Sequence, residues 1–416
     1  MGVTSDVPGF YRLTEEERIT MLARFASMKR EELPFPSPPR PLPLENSIGQ
    51  FPLNLSLANY FLIDGKDYLI PMVTEEPSVV AAASNGAKIA RAGGGFLTRT
   101  LGSTMRAQVV LRDAGSPPGE EEIRSLEEEV RQTVNQQMPM VVQAGGGYRG
   151  MSVEQVGRFL VFSLLIDPAD SMGANALDRA AEAISPMLEQ RYGGSALLRI
   201  LSNRVHERFS QAEAQVPPDV VGGPEIAQAI SDASSFAELN EDRAVTHNKG
   251  IMNGVEALAL ATGNDTRALE AAAHAFACRE GRYRPLSTWT FDGKFLKGTL
   301  TLPTPIGTVG GSIAGNPAAK ACLRVLGVKR ASELGRIMAA VGLAQNLAAL
   351  RALVSEGIQK GHMRLAARTL AATAGATGEE VNAVANRLLE EEGPLRVDRA
   401  RQILEDLRKE QRKGNT

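Results

Sequence analysis

The densest gathering of chemically capable side chains is DRAVTHNKGIMNG, residues 242 to 254, which places Arg243, His247, Asn248, Lys249 and Asn253 within a few turns of chain. A lysine in a Gly-bearing, otherwise apolar segment points to partial burial, and a buried ammonium must be paired or lose its proton. Asp265, a short distance further on, is an available partner. A surface lysine beside a helix N-cap is the plainer reading of the same residue. The second cluster is TEEPSVVAAAS, where Glu75 and Glu76 stand directly before Pro77 and the start of an apolar helix. Carboxylates there complement a helix dipole; alternatively, one that is desolvated has a raised pKa and serves as a general acid near neutral pH. His362 lies in QKGHM, after a long helix, where a histidine on a hinged flap can reach an active site on closure. His206 and His274 read as helix-surface or packing residues. No two histidines have metal-ligand spacing and no C-x-x-C occurs, so no metal is expected.

Two loops have the composition of phosphate sites. GGGYRG, from Gly145 to Gly150, has G-x-G-x-x-G spacing, but the dinucleotide fingerprint needs a strand before it and a helix after it, and Met151 to Val156 reads as a strand. A tight turn and a loop near a nucleotide both remain open. DPADSMGAN, from Asp167 to Asn175, follows an apolar strand and leads into a helix, so its backbone N–H groups can face a phosphate. N-capping by Asp170 or Ser171 explains the same residues equally well. No Walker loop is present, and ATP is not indicated.

The elements that must hold these residues follow from periodicity. A short N-terminal helix precedes a Pro-rich stretch, Pro34 to Leu44, and Leu53 to Val73 reads as a hairpin turning at Asp64-Gly65-Lys66. Ala81 to Arg91 is helical in pattern. From Met105 to about Asn203 the order is strand, helix, strand, strand, helix, strand, the split pattern of a ferredoxin-like domain inserted between helix-rich flanks. Helical spacing then covers Glu225 to Leu239, Ile251 to Ala261, Thr266 to Arg279, Ala318 to Leu326, and Ser332 to about Gln359. Three amphipathic segments follow from Met363 onward, punctuated by Gly375, Gly378 and Gly393, and make a small C-terminal unit.

Composition bounds the partners. With 416 residues the chain has room for two or three domains, and 46 Lys and Arg against 48 Asp and Glu leave a net charge of −2, no broad field for nucleic acid or an anionic membrane. Cys278 and Cys322 form no disulfide framework, and the N-terminus lacks the pattern of a secretory signal, so a reducing cytoplasm is expected. The longest uncharged stretch, Gly298 to Ala319, is broken by Pro303, Pro305 and Pro317 and reads as turns with a short strand.

Taken in order, ENSIGQF at Glu45, EEPSVVAAAS at Glu75, DSMGAN at Asp170, HNKGIMNG at His247 and GTVGGS at Gly307 strongly resemble the hydroxymethylglutaryl-coenzyme A reductases, with the soluble class II branch the nearest. The likeness runs from PGFYRL near Pro8 to QKGHM. It implies an α+β protein: a large α-rich domain (1–104 with 205–358), an inserted ferredoxin-like βαββαβ dinucleotide-binding domain (105–204) and a C-terminal helical flap (359–416). It implies reduction of a thioester to an alcohol by two hydride transfers from NADH or NADPH, giving mevalonate and free coenzyme A, or the reverse. Hydride arriving at the carbonyl creates an oxyanion that Lys249 stabilises, with Asp265 holding the lysine. Glu76, and not Glu75, matches the family's catalytic glutamate, and His362 protonates the departing coenzyme A thiolate.

For substrate the resemblance implies Arg243 on the hydroxymethylglutaryl carboxylate, which a planar guanidinium suits, with Ser78, Asn203 and Asn346 as polar contacts and Asn253 orienting Lys249 or Glu76. It places the cofactor against Asp170, Met172, Gly173 and Asn175, and Arg12 near a coenzyme A contact. Met138 stands where some NADH-using relatives carry an acid, which leaves NADPH open. A homodimer or higher homo-oligomer with sites at its interface is implied as well. Two other classes compete: a coenzyme A acyl-transfer enzyme without hydride chemistry, and a noncatalytic helical interaction protein.

Overall fold

In the computed structural model, which describes residues 4–10, 13–33, 51–355, 358–391 and 393–414, Thr14 opens α1 (Glu15–Phe25) through a capping box with Glu17. Arg12, the Pro-rich stretch 34–44 and residues 45–50 of ENSIGQF lie outside the described residues. The expected hairpin is β1 (Asn54–Ile63) and β2 (Lys66–Thr74), with Ile63 opposite Lys66. Asp64 (φ 49°) and Gly65 (φ 75°) both take left-handed backbone, as a two-residue turn joining right-twisted strands requires. Pro77 fills the first position of α2 (Pro77–Arg91), and β3 (Phe96–Arg112) follows.

The βαββαβ run is realised in order by the later part of β3, α3 (Glu120–Gln136), a short α4 (Pro139–Gln143), β4 (Gly147–Val156), β5 (Phe159–Asp167), α5 (Ala174–Tyr192) and β6 (Ser195–Val216). GGGYRG passes straight into β4, so no helix follows it and no dinucleotide fingerprint forms there. Helices α6 (Pro218–Val221), α7 (Pro224–Leu239), α8 (Glu241–Ala261) and α9 (Thr266–Ala277) come next, then β7 (Ser287–Phe291), β8 (Leu296–Pro303), α10 (Gly311–Gly315), α11 (Pro317–Leu326) and α12 (Ala331–Val354). The tail is α13 (Ile358–Thr373), α14 (Glu379–Glu390) and α15 (Val397–Gly414).

One eight-stranded sheet runs through both halves of the molecule in the order β2-β1-β3-β6-β8-β7, and β5 joins β3 on its other edge and carries β4 outside it. The long strands β3 and β6 pair twice: Phe96–Leu101 with Ala214–Phe209, and Arg106–Arg112 with Ser202–Ser195. Register shifts between Leu101 and Arg106 separate the two ladders. Residues 105 and 204 therefore sit inside continuous strands, beside a bulged joint that redirects the sheet. Beyond the joint, β4-β5-β3-β6 is the ferredoxin-like strand order, all antiparallel, backed by α3 and α5 over a core of Val109, Leu126, Val130, Phe162, Leu177 and Ile184.

On the near side α12 is the central core helix. It is apolar and long enough to cross a bilayer, but most of it is buried against α2, α8 and β6. Gly86 of α2 lies so close to this helix that a Cβ would fall 1.9 Å from the Ala344 carbonyl oxygen. Helix α8 starts at Glu241, not at Ile251 as the apolar spacing suggests, because Asn240 Oδ1 accepts from Arg243 N (2.8 Å) and Glu241 and Asp242 favour the first turn. The helix expected through Gln359 ends at Val354, and His206 lies on strand β6, not on a helix. Helices α13 to α15 enclose their own apolar cluster, including Ala371, Val384, Leu388 and Leu404.

Candidate active site

The early start of α8 turns the polar cluster into a helix face. Lys249, Asn253, Glu256 and Leu260 recur at spacings that stack on one side of a helix, and they line a pocket opposite Glu75 and Glu76. Lys249 Nζ lies 3.6 Å from Glu76 Oε2. Glu76 is the N-cap residue of α2 but makes no side-chain cap bond; its Oε1 accepts from Ser78 Oγ at 2.6 Å, and its N–H donates to Thr74 Oγ1 at 3.2 Å. The carboxylate is therefore aimed at the lysine. Lys249 is more open than its sequence neighbours suggest, with 65% of its side chain exposed. An ion pair this solvated contributes only about 0 to 1 kcal/mol to stability.

Asp265 is placed otherwise. It N-caps α9, where Oδ1 accepts from Arg267 N (3.0 Å) and Ala268 N (3.2 Å) and pairs with Arg267 Nε (3.3 Å). Within one chain, among the described residues, it has no bond to Lys249. Glu256 enters the pocket wall instead. Burial, a hydrogen bond with Glu270 and the charge of Glu75 push its carboxyl up to about 8, against the opposing pull of Lys249. Sequence reasoning passed over Glu256; its signal was a carboxylate two turns along the face that carries Lys249.

Arg243 is half-buried, and burial lowers its pKa. Its guanidinium has no hydrogen bond or ion pair among the described residues, which leaves the fork open to an anion. Asn253 lines the pocket, and Asn203 is exposed on β6 near the joint of the sheet. Asn346 is 1% exposed: its Oδ1 accepts from Ser287 Oγ (2.9 Å) and Trp289 Nε1 (2.8 Å), and its Nδ2 meets His247 Nε2 (3.0 Å). Burial, with Arg243 nearby, pushes His247 down to about 3, so the ring is neutral. Asn248 bonds Arg284 O and Leu286 N. These three residues fasten α8 and α12 to β7 behind the site. His362 falls in α13, with its side chain outside the described residues.

The second loop, Pro168 to Gly173, is held from below. Neither Asp170 nor Ser171 caps α5; the N-cap is Gly173 (φ 107°), whose Cβ would lie 2.7 Å from Pro168 Cβ, so glycine is required twice over. Asp170 Oδ1 accepts from Ala331 N at the start of α12 (2.9 Å), and Ser171 Oγ donates to Pro168 O (2.9 Å). The first N–H groups of α5 have no side-chain cap, and Asn175 beside them is exposed.

Beneath the loop is Arg208, 5% exposed, which donates to four carbonyl oxygens: Ala169 (3.4 Å), Ser171 (3.1 Å), Met172 (3.2 Å) and Ile306 (2.8 Å). Burial lowers its pKa to about 10, which keeps it charged at neutral pH. The GTVGGS segment abuts the same loop, with Thr308 N donating to Asp170 O (2.8 Å) and Gly307 N to Asn264 Oδ1 (2.8 Å). Arg208 was also passed over in sequence, although it lies in phase with inward-facing Ser210, Ala212, Ala214 and Val216 on β6.

The sequence model of hydroxymethylglutaryl-coenzyme A reductase matches residues 16–367. The chain belongs to the hydroxymethylglutaryl-coenzyme A reductase family. The reductase of Archaeoglobus fulgidus is 46% identical over 98% of this chain and 96% of its own. A reductase structure from Streptococcus pneumoniae is similar with a TM-score of 0.80 at 41% identity, covering 96% of this chain and 99% of that one. Another from the same organism, described as a class II reductase bound to NADPH in open conformations, has a TM-score of 0.79 at 41% identity over 84% of this chain and 99% of its own. The class II likeness read from five motifs and the α+β fold expected from it both hold for this family member.

Proposed function

We propose that this member of the reductase family reduces 3-hydroxy-3-methylglutaryl-coenzyme A to mevalonate and coenzyme A at the pocket between α8 and the β2–α2 turn, and catalyses the reverse reaction at the same site. The observation that carries the reading is the Glu76 carboxylate held 3.6 Å from the Lys249 ammonium by its bond to Ser78. A cation beside a carboxyl group that exchanges a proton is what thioester reduction needs. Lys249 stabilises the oxyanion formed as each hydride arrives, and Glu76 delivers the proton that completes the alcohol. Arg243 takes the free carboxylate of the substrate, with Ser78, Asn203 and Asn253 as polar contacts. Asn346, from its core position, acts by holding the wall behind them. His362, carried on α13, protonates the coenzyme A thiolate so that it cannot return to the aldehyde.

Bound NADH or NADPH supplies the hydride. The uncapped N–H groups of α5 suit its diphosphate, and Asp170, Met172, Gly173 and Asn175 make up the loop that holds the cofactor. Met138 is 2% exposed and offers no bond to a ribose, which fits NADPH as well as NADH. In this reading residues 105–204 are the dinucleotide-binding part, 1–104 with 205–358 the substrate part, and 359–416 the flap. The enzyme is a cytoplasmic homodimer or higher homo-oligomer with sites at the subunit interface, where Asp265 of one copy is available to Lys249 of another.

The test is a steady-state assay of the full chain with the thioester and either NADH or NADPH. Thioester-dependent loss of the nicotinamide absorbance is expected. Release of coenzyme A without nicotinamide oxidation would establish acyl transfer instead.

A further inference from the structure

Resting on the reductase reading, we propose that Glu256, Glu270 and His274 form a proton relay that resupplies the Glu76–Lys249 pocket from solvent. Conversion of the thioester to an alcohol and a thiol takes up two protons along with two hydrides. Glu76 gives up the one that completes the alcohol and, with substrate and cofactor over the open face of the pocket, is reloaded from the protein side before the next turnover.

The side chains for that task stand in a row. Glu256 lines the pocket with Glu76 and Lys249 and is hydrogen-bonded to Glu270 of α9. Glu270 Oε2 lies 2.7 Å from His274 Nε2, one turn further along α9. His274 Nδ1 lies 2.7 Å from Tyr283 Oη. About half of the His274 side chain is exposed, whereas Glu270 is mostly covered. The row therefore leads from the pocket, between α8 and α9, to water.

The charged groups around Glu256 favour its acid form. Glu75 faces it from the β2–α2 turn and Glu270 from α9, and Lys249 of its own helix is the opposing cation. The carboxyl is pushed up to about 8 and holds a proton at neutral pH. In the relay Glu256 gives that proton to the pocket and becomes a carboxylate. Protonated His274 passes its Nε2 proton to Glu270, Glu270 passes one to Glu256, and the imidazole regains a proton from water. No electrons move along the row, and one passage per turnover replaces the proton that Glu76 gives to the alcohol.

The experiment is the pH dependence of kcat for thioester reduction by the full-length wild type, Glu256→Gln and His274→Gln, with and without added imidazole as a small proton carrier. Glu256→Gln should lower kcat by at least about tenfold at pH 7, leave the KM for the thioester within about threefold, and remove the alkaline decline expected of the wild type near pH 8. His274→Gln should lose less and be restored by imidazole. A Glu256→Gln profile with the wild-type shape, whether or not kcat falls throughout, overturns the relay while wild-type turnover leaves the reductase reading intact. Absence of thioester-dependent turnover in the wild type overturns both.

Discussion

In the proposed reaction Glu76 depends on its neighbours. Ser78 Oγ donates to its Oε1 at 2.6 Å, while Oε2 lies 3.6 Å from Lys249 Nζ. Ser78→Ala removes that bond; kcat should fall by about 10- to 100-fold, the range for losing a hydrogen bond to a charged group, with unfolding temperature unchanged. Steady-state rates beside a thermal melt check this. Glu256 makes a second prediction, about stability. Its folded pKa, about 8, lies above the ordinary glutamate value of 4.5. Its contribution is therefore fully present below the unfolded value and is lost as pH rises through the folded one. Glu256→Gln, neutral throughout, should match the wild type near pH 4 and melt higher than it at pH 9, as calorimetry at the two pH values will show.

At the scale of elements, two positions decide how the chemistry is presented. Gly173 closes the second loop with φ 107° and no room for a Cβ beside Pro168. Gly173→Ala should destabilise the protein by about 1 to 3 kcal/mol and raise the KM for the nicotinamide cofactor more than that for the thioester, which initial-rate kinetics will separate. The other position is the start of α8. Glu241 to Gly250 carry Thr, His, Asn and Gly, residues of modest helix propensity, so their apolar spacing is silent; Asn240 and the packing against α12 make them helical. This is why the polar cluster was legible as a set of residue types but not as a face, and why Glu256 escaped notice. The hairpin and the inserted βαββαβ run were legible because turn residues and strand alternation carry local signals. That loop 168–173 hangs from Arg208 and from the α12 N-terminus was not, since those contacts join segments far apart in sequence.

Over the whole molecule, the sheet is the frame. Strands β3 and β6 run from the α-rich side into the ferredoxin-like side without a break, and their bulged joint sets the pocket relative to the α5 N-terminus. Sequence patterning divided the chain at this joint because the polar run around Arg204 and Glu207 interrupts the alternation, although the backbone continues. Helices α13 to α15 have their own apolar core and few contacts with the rest. A chain ending at Ser355 should therefore fold, with a melting temperature near that of the full protein, and lose at least about 100-fold in turnover once His362 is gone. Melting and activity measured on one preparation will tell whether the two properties separate.

In the proposed reaction Lys249, facing Glu76, stabilises the charge that hydride addition creates. That role is tested most directly by kcat for thioester-dependent nicotinamide oxidation in folded Lys249→Ala beside the wild type. The account predicts steady turnover by the wild type and a loss of at least about 10² to 10³ in the variant. A variant that melts like the wild type and turns over within tenfold of it would contradict the account.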